Sequence, residues 1–184
     1  MPHPVNAEDP SLGPVHTVPP NHRVPSFLAF RFNQLCIGIM AEVLAPEGLK
    51  PAEYGAMTML DAAPGLDQQS LAIRLGLDKV SVGQMVDRLE RAGWVERRLD
   101  PADRRTRRLH LTHAGLALRR RLQPAALAAQ NRILAPLHEK ERPVLVALLT
   151  QLVEQHGTYA RPGHGRKPPR RRSAQPAGTI ATSQ

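Results

Sequence analysis

The chain has 184 residues and is strongly basic, with 25 Lys and Arg against 16 Asp and Glu and a formal net charge of +9 at pH 7. Its length suits one domain with flanking segments, and its hydrophobic content of 41% is enough for a core. The charge favours an anionic partner, most commonly nucleic acid, although membrane surfaces and acidic proteins also fit it. A single cysteine excludes an intramolecular disulfide framework and indicates a reducing compartment such as the cytoplasm.

The first 25 residues contain seven prolines and no apolar run. The missing apolar segment excludes a secretory signal peptide, and no later stretch supplies the roughly 18 uninterrupted apolar residues of a membrane-spanning helix. We therefore expect no membrane association, and we predict that residues 1–25 form a disordered arm. The alternative is an arm that crosses to a partner subunit.

Residues 26–45 have the pattern of a helix that is apolar on more than one face. Leu28, Phe32 and Ile39 share one face, whereas Phe30 and Ile37 lie elsewhere. One domain of this size buries several faces of one helix with difficulty. Part of this surface is therefore predicted to belong to a dimer interface.

Three shorter helices are predicted next. The first covers about 52–62, with Pro51 suited to a first helical position, and two more follow over 67–75 and 79–92, joined at Gly76. Val82, Val86 and Leu89 give the last helix its apolar face. The pair is predicted to form a helix-turn-helix whose second helix has these polar positions outside the apolar stripe: Lys79, Ser81, Gln84, Arg88 and Arg91.

Alternating apolar and polar residues on both sides of Asp100 and Pro101 predict an antiparallel hairpin, with strands over about 94–99 and 107–111. The tip of a hairpin has no core to hold charged side chains. Its arginines are therefore predicted to project into solvent or onto an anionic partner. They are Arg97, Arg98, Arg104, Arg105 and Arg107.

Two helices and a tail are predicted after the hairpin. Thr112 is placed to cap a helix over about 113–135, in which Pro124 should cause a kink or remove one backbone hydrogen bond. A last helix over 139–155 has a leucine- and valine-rich face. Residues 158–184 carry six basic side chains and no acidic one, and they are predicted to be disordered, either as a solvated tail or as an arm that follows phosphates.

The segment Leu77–Arg97, followed by Asp-x-Arg (Asp103, Arg105) and Leu-x-Leu-Thr (109–112), resembles the MarR family of bacterial winged-helix regulators. The resemblance covers about residues 26–157, and the five fixed residue types of the wing signature make it specific. It implies a mainly α-helical (α+β) fold with a small β-hairpin wing: a winged helix-turn-helix over 51–112 and a dimerisation region formed by 26–50 and 113–157. It also implies a repressor that binds a pseudo-palindromic DNA operator as a homodimer and is released by a small ligand.

The second helix of the helix-turn-helix is expected to enter the major groove, where each base pair shows a distinct pattern of donors and acceptors. We expect Gln84 to pair with adenine and Arg88 to contact guanine or phosphate. Gly83 costs about 1 kcal/mol in a helix and is expected to allow close approach to DNA. The predicted recognition residues are Lys79, Ser81, Gly83, Gln84 and Arg88. The alternative is a surface helix that only covers the core.

The resemblance implies that Arg105 at the wing tip enters the minor groove, where A·T-rich tracts concentrate negative potential. Asp103 is expected to orient the guanidinium of Arg105, because a carboxylate facing phosphates would be repelled. The other wing arginines are expected to hold phosphates: Arg97, Arg98, Arg104 and Arg107.

Family members bind small aromatic or phenolic acids between the dimerisation helices and the winged helix. The resemblance thus implies a pocket lined by Phe32, Met40, Tyr54 and Met57, and ordinary core packing of these residues is the alternative. Cys36 offers a second input, because the segment around it resembles the peroxide-sensing branch of the family. A buried cysteine that serves only packing is the alternative there.

Enzymatic functions have little support, because the motifs of zinc proteases, nucleotide-binding loops, serine hydrolases and paired-cysteine sites are missing. We expect no catalytic residue, no cofactor and no metal site. His110 and His113, together with either His138 or His156, suggest a metal site only weakly, because no thiol lies near them in the sequence. The competing function is a constitutive architectural DNA-binding protein. Loss of operator affinity on adding a ligand would distinguish a regulator from such a protein.

Overall fold

In a computed structural model of the chain, the structure describes residues 23–103, 105–157 and 159. All eight predicted helices and strands are present. In chain order they and one further strand are α1 (Pro25–Leu44), α2 (Pro51–Ala62), β1 (Leu66–Asp67), α3 (Gln68–Leu75), α4 (Lys79–Arg91), β2 (Val95–Leu99), β3 (Arg107–Leu111), α5 (His113–Leu134) and α6 (Glu141–Gln155). A short 3₁₀ turn at Ala45–Glu47 follows α1. The predicted disordered segments 1–25 and 158–184 lie almost entirely outside the described residues.

Side chains that precede three of the helices hold their first turns. Asp67 and Asp78 accept hydrogen bonds from the backbone amides of Ser70 and Ser81 at 2.8 and 2.9 Å, and Thr112 caps α5 through the amide of Gly115 at 3.0 Å. Such caps satisfy amides that have no partner inside the helix. The cap predicted at Thr112 is confirmed. α5 also continues through Pro124, which donates no backbone hydrogen bond.

The wing belongs to a three-stranded antiparallel sheet with the order β1-β3-β2. Val95 pairs with Leu111 and Leu99 with Arg107, which confirms the predicted hairpin. The two-residue strand β1 was not predicted: Leu66 pairs with Leu109 on the other edge of β3. It ties the start of the helix-turn-helix to the wing.

The core lies between α2, α3, α4 and the sheet. Its fully buried side chains come from all of these elements and from the end of α1: Leu44, Met57, Leu60, Leu71, Val82, Val86, Leu89, Val95 and Leu109. Large apolar side chains in close contact of this kind provide most of the stability of a small domain. The elements that carry the predicted recognition helix are thereby fixed relative to one another.

α1 and α6 are different, because both leave apolar residues exposed. In α1 only Met40 and Leu44 are buried, and in α6 no residue is buried. The stretch Pro25–Glu47 is also long and apolar enough, by length and composition alone, to cross a membrane, with a mean hydropathy of 1.4 and 11% of its window buried. The sequence analysis expected no membrane-spanning helix because polar residues such as Arg31 interrupt the apolar residues of this stretch. An unpartnered apolar helix of this kind needs a cover, which is either a lipid phase or another protein surface.

Candidate DNA interface and ligand cavity

α4 presents one side to the core and the other to solvent. Val82, Val86 and Leu89 are fully buried, whereas Lys79 and Gln84 are exposed. The side chains of Lys79 and Gln84 make no hydrogen bond or ion pair with the rest of the described chain. Both predicted recognition residues are thus available to a partner.

Two other predicted recognition residues have roles inside the protein. The Ser81 hydroxyl donates to Asp78 at 2.7 Å and so completes the cap of α4. A Cβ on Gly83 would lie 3.0 Å from Nε2 of Gln68 in α3. The tip of the Gln68 side chain thus lies in the space beside Gly83, and the close approach of Gly83 to DNA stays a prediction.

Arg88 forms a bidentate ion pair with Glu53 of α2, and its Nη2 also donates to the carbonyl oxygen of Gly48 at 3.0 Å. The Glu53 side chain is 4% exposed and also accepts the backbone amide of Lys50 at 2.7 Å. Hydrogen bonding to this carboxylate raises the pKa of Arg88 further above its usual range. If Arg88 turned to read guanine, it would leave a buried carboxylate unpaired, which is costly. The sequence analysis missed this partner, and Arg88 is better described as the anchor of α4 on α2.

Two of the wing arginines, Arg97 and Arg98, face carboxylates of the same chain. Arg97 bonds to Asp87 and Glu90 of α4, and Arg98 bonds to Glu96. The expectation that Arg97 mainly holds phosphate is corrected by these contacts, since its two carboxylate partners hold the wing against α4. Arg98 is more exposed, and its single partner is the neighbouring Glu96 on the same strand.

The wing tip is shaped by Asp103. One of its carboxylate oxygens accepts the backbone amide of Arg105 at 3.0 Å, and the other accepts the Thr106 hydroxyl at 2.9 Å. The expectation that Asp103 orients the Arg105 guanidinium is therefore corrected, because the hydrogen bonds of this carboxylate go to the Arg105 amide and the Thr106 hydroxyl and close the turn. Among the described residues, Arg105 and Arg107 have no ion pair, and Arg104 lies outside them.

A second network secures the base of the wing and was not predicted. Arg108 bonds to Asp100, which is 7% exposed, at 2.7 Å, and to the carbonyl oxygen of Gly65 at 3.3 Å. A backbone hydrogen bond from Ala102, together with the bond from Arg108, lowers the pKa of Asp100. β1 pairs with β3 so that Asp67 lies opposite Arg108. Because β1 was not predicted, nothing in the sequence indicated that Arg108 is surrounded by carboxylates.

A polar cleft of about 540 Å³ separates the wing tip from the start of α3. Three of its lining side chains are cationic: Lys79 of the recognition helix and Arg105 and Arg107 of the wing. Its one acidic side chain, Asp67, is engaged as the cap of α3, and the hydrogen bond from the Ser70 amide lowers the pKa of this carboxyl. The cleft therefore joins the exposed end of α4 and the wing into one basic surface.

A larger and mostly apolar cavity of about 680 Å³ lies between α1, α2 and α5. Met40 and Tyr54 line it, as the sequence analysis expected. The other two expectations are corrected: Met57 is fully buried in the core, and Phe32 is not part of the lining. Helical periodicity placed these residues on apolar faces, but it did not say which apolar face the core covers.

Among the described residues, Arg119 is the one cationic side chain that lines this cavity, and it was not predicted. Its Nη1 forms an ion pair with Asp61 at 2.9 Å and donates a hydrogen bond to Oε1 of Gln123 at 3.1 Å. Its Nε is buried and has no hydrogen-bond partner. Buried donors without a partner are uncommon in proteins, and the positive charge of Arg119 in the lining suits an anionic ligand.

Cys36 also lines the cavity. Burial raises the pKa of its thiol, and a weaker backbone hydrogen bond only partly opposes this. Reactive sensor cysteines have lowered pKa values, because the thiolate is the reacting species. The geometry thus favours Cys36 as a lining residue over a peroxide sensor. Within the described ranges, no group of three or more His, Cys, Asp and Glu side chains is arranged to hold a metal ion.

Comparison with known proteins agrees with this geometry. The MarR family model matches residues 47–106, which run from the end of α1 to the wing tip. A relative in Thauera aromatica, named as a transcriptional regulatory protein for the hcr operon, is 33% identical over 113 residues, which are 61% of this chain and 68% of the relative. The Mycobacterium tuberculosis transcriptional repressor Rv2887 is 28% identical over 126 residues, 68% of this chain and 91% of that protein.

Solved structures are similar over most of the chain. The repressor CouR bound to a 23-mer DNA duplex is 28% identical with a TM-score of 0.65, and the match covers 71% of this chain and 92% of CouR. Rv2887 in complex with salicylic acid is 27% identical with a TM-score of 0.59, covering 70% of this chain and 96% of Rv2887. The relatives are transcriptional regulators and not enzymes. The winged helix, the basic cleft and these relationships together show that the chain belongs to the MarR family of DNA-binding transcriptional regulators.

Proposed function

We propose that this regulator is a repressor that binds a pseudo-palindromic operator as a homodimer and is released by a small aromatic or phenolic acid. The observation that carries the proposal is the basic cleft, because Lys79 of α4 and Arg105 and Arg107 of the wing line one surface. A recognition helix in the major groove and a wing on the adjacent minor groove require such a surface.

On DNA, Gln84 and Lys79 contact base edges in the major groove. A glutamine amide pairs in bidentate fashion with adenine, and lysine donates to guanine or phosphate. Arg105 enters the minor groove, while Arg107, Arg91 and Arg98 contact phosphates. Each phosphate contact steepens the dependence of log affinity on log salt by about 0.9.

The homodimer follows from the exposed apolar faces of α1 and α6. On α1, Phe30 and Leu35 are 58% and 59% exposed, and on α6 Leu152 and Val153 are 56% and 69% exposed. Burying these side chains against a second copy is more favourable than leaving them in water, by about 25 cal/mol per Å² of apolar surface buried. Membership of a family of DNA-binding regulators favours a protein surface over a lipid phase as the cover of α1. A regulator that acts on chromosomal DNA is expected in the cytoplasm.

The ligand binds in the cavity between α1, α2 and α5. Its aromatic ring packs against Met40 and Tyr54, and its carboxylate lies beside the guanidinium of Arg119, the positive group of the lining. Ligand binding releases DNA only if it favours a spacing of the two recognition helices that the operator does not accept. Salicylic acid is the first probe, since the similar protein Rv2887 binds it.

The proposal is tested on duplexes selected from a random pool by the purified full chain. The natural protein is expected to enrich a two-fold symmetric motif, and Arg105→Ala and Gln84→Ala to weaken binding about tenfold or more each. Arg120→Ala is the matched control, because this arginine lies exposed on α5, away from the cleft. Unchanged affinity after both cleft substitutions would contradict the proposed interface.

Release is tested by adding salicylic acid to the complex of protein and selected duplex. The natural protein is expected to dissociate at millimolar acid, and Arg119→Gln to resist it. A constitutive architectural protein would keep its DNA at every ligand concentration. Release by peroxide that is lost in Cys36→Ser would instead support the redox alternative.

A further inference from the structure

One aliphatic side chain of the recognition helix is left in solvent. Val80, the second residue of α4, is 69% exposed and is the most exposed large apolar side chain between residues 51 and 111. The strongly exposed apolar residues of α1 and α6 belong to the proposed dimer faces. Val80 does not, because it lies on the surface that faces DNA.

Helical geometry places Val80 in line with Gln84. At 100° per residue, positions 80 and 84 lie one turn apart, on the side opposite the buried Val82 and Val86. The N-terminal residues of a recognition helix are those that contact base edges. Val80 thus occupies a position from which a helix in the major groove meets a base.

The neighbours of Val80 on the exposed side of α4 are polar, so Val80 is an apolar side chain within a polar face. Ser81 beside it is held in the cap by Asp78. Asp87, further along the same side, is neutralised by Arg97, so the face carries no unpaired negative charge near the helix start. A β-branched side chain in a helix is nearly fixed in one rotamer, so ordering it on a partner costs little entropy.

We propose that Val80 is a specificity-determining residue that packs against the 5-methyl group of a thymine in the major groove. The thymine methyl is the one apolar group that the four bases present there. Val80 and Gln84 are one helical turn apart on α4, so the thymine that contacts Val80 and the adenine that pairs with Gln84 should lie close together in each half-site. The inference rests on the proposed function and specifies the DNA that the same site selects.

The test compares duplexes selected from a random pool by the natural full-length chain and by Val80→Ala. The natural protein is expected to enrich thymine at one position of each half-site, and Val80→Ala to lose that preference while it keeps the rest of the motif. Because the side chain is exposed, Val80→Ala should keep its unfolding midpoint and its oligomeric state. Val80→Thr, which retains one methyl group, should keep part of the preference.

A second measurement replaces the enriched thymine by deoxyuridine, which removes only the methyl group. Affinity of the natural protein should fall about fourfold, the scale of burying one methylene-sized group, whereas Val80→Ala should bind both duplexes equally. The inference is overturned if the natural protein and Val80→Ala lose the same affinity when thymine is replaced by deoxyuridine, or if the selected motif lacks this thymine. Either result leaves the proposed function standing. Failure of the natural protein to enrich any motif overturns the proposed function, and the inference with it.

Discussion

The winged helix and the outer helices differ in how their surfaces are satisfied. From α2 to β3 most of the apolar side chains pack into one core, and buried charge is paired, as in Glu53 with Arg88 and Asp100 with Arg108. α1 and α6 expose most of their apolar residues, and α6 buries none. The first region is complete in one protomer, whereas the second needs a partner. The contrast teaches that the basic surface of the winged helix is formed within one protomer, whereas the outer helices leave apolar faces that we propose a second copy covers.

The junction of the two regions is where the largest effect is expected. A Cβ on Gly115 would lie 2.0 Å from the carbonyl oxygen of Trp94, which is itself held by the amide of Thr112 at 3.0 Å. Gly115→Ala must therefore shift backbone between the wing and α5. We expect a loss of about 4 kcal/mol or more in the free energy of unfolding, measured in urea.

Gly38→Ala is the matched control for that substitution. The Cβ added in α1 meets no atom within 4 Å. Since alanine favours a helix interior over glycine, this variant should be neutral or more stable by up to about 1 kcal/mol. Similar losses in both variants would contradict the junction contact.

The incompleteness of the outer region is tested at α6. Leu152→Glu places a charge on the exposed apolar face and is expected to give monomers in analytical ultracentrifugation. Loss of two-site attachment should lower the affinity for a selected operator about 100-fold. Gln151→Glu adds the same charge at the neighbouring residue and serves as the control. A Leu152→Glu protein that remains dimeric would show that α6 is not the interface.

The self-sufficiency of the winged helix is tested at its ion pairs. Arg88→Ala leaves the Glu53 carboxylate buried without its partner and is expected to cost about 2 kcal/mol of unfolding free energy. Arg98→Ala removes an exposed pair with Glu96 and should cost less than about 0.5 kcal/mol. Equal effects in thermal or urea unfolding would remove Arg88 from its role as the anchor of α4.

The smallest effect is chemical. Because burial raises the pKa of the Cys36 thiol, the group stays protonated at neutral pH, and its alkylation rate should rise only as the pH climbs through that raised pKa. At pH 7.5, iodoacetamide should label it more slowly than a free-cysteine peptide. Salicylic acid should slow the labelling further, since Cys36 lines the same cavity. A rate equal to that of the peptide would reopen the sensor hypothesis.

Local patterns predicted the helices and the hairpin because capping, periodicity and alternation are properties of neighbouring residues. The cap at Thr112 and the pairing of Val95 with Leu111 are of this kind. Contacts between distant residues were out of reach. Glu53 lies 35 positions before Arg88, and nothing in the local pattern of either residue indicates the other.

The same limit explains the errors at the candidate sites. Met57 and Met40 both lie on apolar faces, and only packing shows that the first belongs to the core and the second also lines the cavity. β1 has two residues, which is too short for an alternating pattern.

The central claim is that two copies of this chain place two α4 helices in successive major grooves of one operator. It is tested most directly by native mass spectrometry of the full chain on a duplex that it has selected from a random pool. The account predicts two chains per duplex and a two-fold symmetric motif with half-site centres about 10 bp apart. One chain per duplex on an asymmetric motif would contradict it.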